Sequence, residues 1–233
     1  MEHLSHLQNL FDRLPLTDAL RETAALFARR VTFSSSLGQE DQVLTDIIAR
    51  NALPISIFTI DTGRLFGEAY ETLERTTARY GIGVDVYFPQ ANAVQDLVRE
   101  KGVNLFYESV ANRQSCCQVR KVEPLNRALA GNAVWITGLR ADQNDHRKNV
   151  PVVEWLTDRE MYKINPLLHW SYADVADHLL QYRVPYNPLH DKGFVSIGCA
   201  PCTRAVSAGE DPRAGRWWWE QSQKECGLHL SKS

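Results

Sequence analysis

Residues 31–50 read "VTFSSSLGQEDQVLTDIIAR". The opening "VTFSS" (31–35) is rich in β-branched and aromatic side chains and suits a short buried strand. Serines and Gly38 then break that pattern, and in "DQVLTDIIARN" (41–51) Val43, Leu44, Ile47 and Ile48 recur at helical spacing. A strand passing through a tight polar loop into a helix is half of a βαβ unit. The same alternation continues on both sides. "PISIFTI" (54–60) reads as a buried strand ending in the loop "DTGRLFG", and "EAYETLERTTARYG" (68–81) as a helix closed by glycine. "VDVYF" (84–88) is a strand stopped by Pro89, and "AVQDLVREKG" (93–102) a helix. "VEPLNRALAG" (122–131), "AVWIT" (133–137) and "SYADVADHLLQY" (171–182) read as helix, strand and helix. Upstream, "TDALRETAALFARR" (17–30) starts on the N-cap Thr17 and puts Leu20, Ala24 and Phe27 on one face. Strands alternating with helices predict an α/β fold: a mostly parallel twisted sheet with helices on both faces. Ligands on such sheets bind outside the carboxyl ends of the strands.

The chain has 233 residues, with 26 basic and 28 acidic side chains and a net charge of −2. That balance argues against a bulk nucleic-acid binder. "MEHLSHLQNLFDRL" lacks the basic start and apolar run of a secretory signal, and no apolar stretch is long enough to span a bilayer. A reducing cytoplasm is expected, where five cysteines read as metal ligands or reactive thiols. The expected division is a nucleotide-binding α/β domain with the cysteine site over 1–204 and a mobile C-terminal tail over 205–233.

"NRQSCCQVRK" (112–121) sets Cys116 beside Cys117. Neighbouring Cα atoms lie about 3.8 Å apart, whereas disulfides want roughly 4.4 to 6.8 Å. A structural disulfide between them is therefore disfavoured. "GCAPCTR" supplies Cys199 and Cys202 as a CxxC. One zinc ion prefers two separated knuckles, while an iron–sulfur cube offers a different iron at each corner, so adjacent cysteines suit the cube better. Two buried small hydrophobes would account for the CC pair alone, but not for the CxxC.

The loop after the first strand carries Ser34, Ser35, Ser36, Gly38, Glu40 and Asp41. Its backbone N–H groups can curl around an anion at a helix N-terminus, or its serines can simply cap that helix. It lacks the Lys–Ser/Thr ending of a nucleoside-triphosphate loop, so a shorter anionic chain is favoured. Near the C-terminus, Cys226 stands in "QKECGLHL" between Lys224 and His229, which favour the thiolate. It is either an incidental thiol or a mobile nucleophile. Arg204, Arg213 and Arg216 add cations upstream, and two or more of Trp217–Trp219 read as packing.

Together these stretches resemble the assimilatory sulfonucleotide reductases of the phosphoadenosine phosphosulfate (PAPS) reductase family, and closely the iron–sulfur branch acting on adenosine 5′-phosphosulfate (APS). The resemblance rests on "SLGQEDQVL", "TIDTGRLF", "CCQVRKVEPLNRAL", "ITGLRADQ", "PYNPLHDKGFVSIGCAPCTR", "GRWWWE" and "KECGLH". Ile60 replaces a usual Leu, Phe66 a common His, and "NDHRKN" is short. The resemblance implies an adenine nucleotide alpha-hydrolase-like fold of the PP-loop type and a [4Fe-4S] cluster on Cys116, Cys117, Cys199 and Cys202. It implies that Cys226, with Lys121 and His229, performs the chemistry. It places phosphosulfate on the Ser34–Asp41 loop, adenine against the backbone of Ile60 and Gly138, and the Asp61, Thr62, Gly63 and Arg64 loop on the nucleotide. Arg147 (rather than Lys148), Arg213 and Arg216 would hold the anionic groups. The implied activity is reduction of APS to sulfite and AMP in cysteine biosynthesis, through an S-sulfo Cys226. Thioredoxin or glutaredoxin would be the reductant and a homo-oligomer the assembly, without nucleic acid or membrane. Set against this are PAPS or dual specificity, an adenylating ATP-pyrophosphatase with a cluster, and a zinc-stabilised binding module.

Overall fold

The computed structural model describes residues 2–143, 147 and 149–220. Helices α1 (Leu4–Arg13) and α2 (Leu16–Leu26) precede β1 (Val31–Ser34) and α3 (Gln39–Arg50). Then come β2 (Ser56–Ile60), α4 (Gly67–Tyr80), β3 (Asp85–Tyr87) and α5 (Ala91–Lys101). A helical run follows from α6 (Val110–Cys117) through a π-helical segment (Gln118–Val122) into α7 (Glu123–Leu129). Strand β4 (Val134–Ile136), the pair β5 (Val153–Leu156) and β6 (Met161–Ile164), and α8 (Tyr172–Gln181) complete the order.

The strands lie as β3-β2-β1-β4-β6-β5. β1 pairs parallel with β2 and with β4, β4 pairs parallel with β6, and β5 runs antiparallel to β6. The sheet is thus mostly parallel, as the alternation predicts. The chain leaves β1 toward β2 and then returns to its other side at β4. Strand order reverses there, which opens a crevice at the carboxyl ends of β1 and β4.

Two differences from the sequence reading have local causes. α2 begins at Leu16 rather than at the Thr17 cap, because Pro15 sits at its N-cap (φ −54°) and no side chain caps the end. β5 and β6 escape a periodicity reading because Glu154 and Lys163 interrupt the apolar pattern; they are direct cross-strand partners joined Nζ to Oε1 at 2.7 Å.

The fold divides into two compact units. The first comprises Met1–Thr59, Ala69–Asp85 and Gly131–Asn187; the second comprises Ile60–Glu68, Val86–Ala130 and Pro188–Ser233. The expected boundary at 204/205 falls inside the second unit. In the first unit, Val31, Phe33, Val134, Ile136 and Ile164 of the sheet pack with Leu20, Val43, Leu44 and Val175 of the helices. The second unit has its own small core, in which Leu105, Phe106 and Trp217 surround Cys116 and Cys202. Among the described residues no helix is long and apolar enough to cross a membrane.

Candidate active site

In the first unit the reversal point brings together the loop after β1 and Gly138 after β4. The Ser36 N–H and Oγ–H donate to Asp41 Oδ2 at 2.5 and 2.6 Å, and the Gly138 backbone N–H also bonds this carboxylate. Gly138 must be glycine here, since a Cβ would meet Asp41 Oδ1 at 2.1 Å. Burial pushes the Asp41 carboxyl up to about 6; the Ser36 and Gly138 bonds oppose that rise and the Glu40 charge adds to it. The remaining loop donors are also placed. Ser35 N–H bonds Phe58 O at 2.8 Å, Leu37 N–H bonds Ser35 Oγ at 3.2 Å, and Ser34 Oγ accepts from Trp135 Nε1 at 2.8 Å. The start of α3, capped by Gly38, carries the positive end of its helix dipole behind this loop. Glu40 turns away, to Arg140 Nε at 2.9 Å. Arg147, also of this unit, donates to Gln143 Oε1 at 2.6 Å. Lys148 lies outside the described residues.

The second unit gathers the cysteines. Cys116, Cys117, Cys199 and Cys202 are in no disulfide and line one cavity. Helical spacing explains part of this, because residues 113, 116, 117, 120 and 121 share a face of the run that carries α6. Arg113, Arg120 and Lys121 accordingly line the cavity too, with Arg64 and Arg216. Arg120 is 8% exposed and donates through Nη1 to Thr62 O at 2.7 Å; Thr62 Oγ1 in turn lies 3.2 Å from Cys199 Sγ. The loop 61–64 is thereby tied to both cysteine pairs. Asp61 Oδ1 closes it by accepting from Gly63 N at 2.7 Å, and Arg64 O accepts from Ala200 N at 2.8 Å. Arg216 is 6% exposed, and its Nε is buried with no partner among the described residues. Its guanidinium needs glycine at 198, where a Cβ would lie 2.3 Å from Nη2. Ile60 closes β2, half-buried; Arg213 bonds Asp211 Oδ1 through its backbone N–H and is not among the cavity-lining residues.

Burial, then the neighbouring Cys199, pushes the Cys202 thiol up to about 12, while Lys121 and Arg216 pull it down. Cys116 is raised mainly by burial, with Cys199 adding and Arg120 opposing. The thiols therefore feel one another, and the basic rim suits four thiolates bound to a shared cationic group. Among the described residues no group of three or more His, Cys, Asp or Glu could hold a single metal ion. Four thiolates around one zinc would stand about 3.8 Å from each other. Four cysteine thiols lining one cavity are a donor set of the kind that iron–sulfur groups take.

A family profile described as phosphoadenosine phosphosulfate reductase domain matches residues 30–205. The chain belongs to that family. The adenosine 5′-phosphosulfate reductase of Allochromatium vinosum is 54% identical over 85% of this chain and 78% of its own length. The Burkholderia cepacia enzyme of the same name is 50% identical over 87% and 81%. The crystal structure of phosphoadenylyl-sulfate reductase from Candida auris aligns with a TM-score of 0.74 at 28% identity, covering 88% of this chain and 97% of that one. Candida glabrata FMN adenylyltransferase (TM-score 0.56, 17% identity, 98% and 78% covered) shares the fold alone.

Sequence reasoning named the four cysteines, Lys121 and Arg216 of this family member, and missed Arg113 and Arg120. Their spacing of three and four residues from the cysteine pair was the available signal. Cys226 and His229 lie outside the described residues.

Proposed function

We propose that this protein reduces adenosine 5′-phosphosulfate to sulfite and AMP in sulfate assimilation. The observation that carries the reading is the convergence of two cysteine pairs, 82 residues apart from Cys117 to Cys199, on one cavity rimmed by Arg64, Arg113, Arg120, Lys121 and Arg216. Relatives with half their residues in common bear the name adenosine 5′-phosphosulfate reductase. Cys116, Cys117, Cys199 and Cys202 would hold a [4Fe-4S] cluster. When bound, it would supply a fixed local charge, and these residues would tie their two distant segments together through it. Iron and sulfide analysis of protein isolated without air checks it.

The chemistry needs a thiolate to meet an anion. Two unit charges 4 Å apart repel by about 4 kcal/mol at an effective dielectric near 20. Lys121, Arg147, Arg213 and Arg216 offset that repulsion and the charge building on the leaving phosphate. The Ser34–Asp41 loop and Gly138 of the first unit bind the nucleotide. The Cys226 thiolate, with His229 as helper, attacks the sulfate sulfur. The S–O bond to phosphate breaks, AMP leaves and Cys226–S–SO₃⁻ forms. A thioredoxin- or glutaredoxin-type dithiol then attacks the Cys226 sulfur and supplies two electrons. Sulfite leaves, and the dithiol ends as a disulfide.

Mass spectrometry tests this directly. Reduced protein mixed with APS should gain one SO₃ on the Cys226 peptide, lost again on adding thioredoxin. C226S should make no sulfite; sulfite production by C226S at the parental rate overturns the mechanism. Turnover on PAPS under the same conditions measures specificity.

A further inference from the structure

Glu220 precedes Cys226 by six positions and is the last of the described residues. Its carboxylate is buried, as is the guanidinium of Arg113 on α6, with Nε 2.7 Å from Oε1 and side chains only 4% and 5% exposed. Arg113 makes two further contacts. Its Cζ stands 4.6 Å over the Trp217 ring. Its guanidinium also hydrogen-bonds the Cys117 thiol.

The backbone closes the same circuit. Trp217 N–H donates to Cys202 O at 3.1 Å, and Glu220 N–H to Trp217 O at 2.8 Å. Trp217 is 1% exposed and has φ +41°, a left-handed conformation that a bulky residue keeps only where its surroundings enforce it. The turn 217–220 is thus fastened at one end to the CxxC and at the other to the helix bearing Cys116 and Cys117. Apolar residues of similar size often replace a buried ion pair without loss of stability, so stability alone is a poor reason for this one. A directional, two-ended contact at the root of a reactive segment has a better one.

We propose that Arg113 is a positioning residue for the sulfonation step: paired with Glu220, stacked on Trp217 and bonded to Cys117, it fixes Glu220, six positions before Cys226 in the sequence. This rests on the reading of Cys226 as nucleophile. Full-length parent, R113Q, R113K, E220Q and the double variant R113Q/E220Q decide it through two measurements. One is the rate of chymotryptic cleavage after Trp219, which reads the fastening without any turnover. The other is single-turnover S-sulfonation of Cys226 as APS concentration is varied. E220Q and R113Q should be cleaved faster. Their maximal sulfonation rate should fall roughly tenfold or more while the half-saturating APS concentration changes less than about twofold. The double variant should lose no more than either single one, and R113K should recover part of the rate. E220Q changes little in volume, so it remains informative if R113Q folds poorly. Parental cleavage and sulfonation in E220Q would overturn the proposal, as would a loss confined to APS affinity. If the parent itself acquires no S-sulfo Cys226, the nucleophile reading fails, and with it the sulfonation role; accelerated cleavage of E220Q would still show the fastening.

Discussion

Asp41 has an ordinary carboxyl value of 3.8 and is raised to about 6 by its burial, so the folded protein binds this proton more tightly than the unfolded chain does. Between roughly pH 4 and 6 the native state keeps a proton that the unfolded state has released. Stability therefore falls as pH rises through that window and levels off above it. About two pKa units correspond to about 3 kcal/mol. Asn at this position can still accept the Ser36 hydrogen bonds but cannot ionise. Urea unfolding of parent and D41N at pH 4.5 and pH 7.5 should show the parent losing about 2 kcal/mol relative to the variant on going to the higher pH, the rest of the loss having occurred below pH 4.5. Identical pH slopes would mean that Asp41 titrates as an exposed carboxyl does. Its carboxylate takes the Ser36 and Gly138 N–H groups.

The β5–β6 hairpin tests a different kind of balance. Lys163 lies on the inner strand with its side chain 7% exposed, its ammonium 2.7 Å from Glu154 Oε1 and 5.7 Å from the Trp135 ring centre. Removing the carboxylate leaves that charge buried without its counter-ion. E154A should destabilise the fold by about 3 kcal/mol, while the double variant E154V/K163V should recover most of the loss. Thermal unfolding of the three proteins measures this; a double variant as unstable as E154A would show that the pairing is not what matters. The hairpin also marks where a one-dimensional reading stops. β1, α3, β2 and α8 are visible in the sequence because their apolar residues recur at a regular period. β5 and β6 are not, since Glu154 and Lys163 look like breaks until the strands lie side by side. The π-helical turn at Gln118–Val122 is equally hidden, because the helical character runs unbroken from Val110 to Leu129. The cysteine quartet was legible from residue type and spacing alone. The Arg113–Glu220 contact spans 107 positions and involves two common charged residues, so nothing in their local sequence announces it.

At the scale of the whole molecule, the chemistry is carried by segments that the chain order keeps apart. The sheet of the first unit holds the Ser34–Asp41 loop and Gly138 through adjacent parallel strands, so backbone hydrogen bonds fix their spacing without any ligand. Among its described residues the second unit has no comparable sheet of its own. Its small core is built around Cys116, Cys202, Phe106 and Trp217, and its two cysteine pairs close a loop of 82 residues between Cys117 and Cys199. A group bound to all four thiolates cross-links that loop. Closing a loop of this length in the unfolded chain is worth about 4.5 kcal/mol on the chain-entropy account. Metal–thiolate binding energy counts toward folding as well. If the proposed iron–sulfur group is bound there, removing iron with a chelator under reducing conditions should lower the unfolding free energy measured in urea by at least that order, and C116S or C199S should lower it without chelator. The loss should appear in the region around α6 and residues 199–217, where hydrogen exchange would accelerate, while the amides of β1 and β4 keep their protection. An unchanged midpoint after iron removal would mean that apolar packing around Trp217 and Phe106 already holds the two segments together, and that the bound group acts on the substrate's charge rather than on the fold.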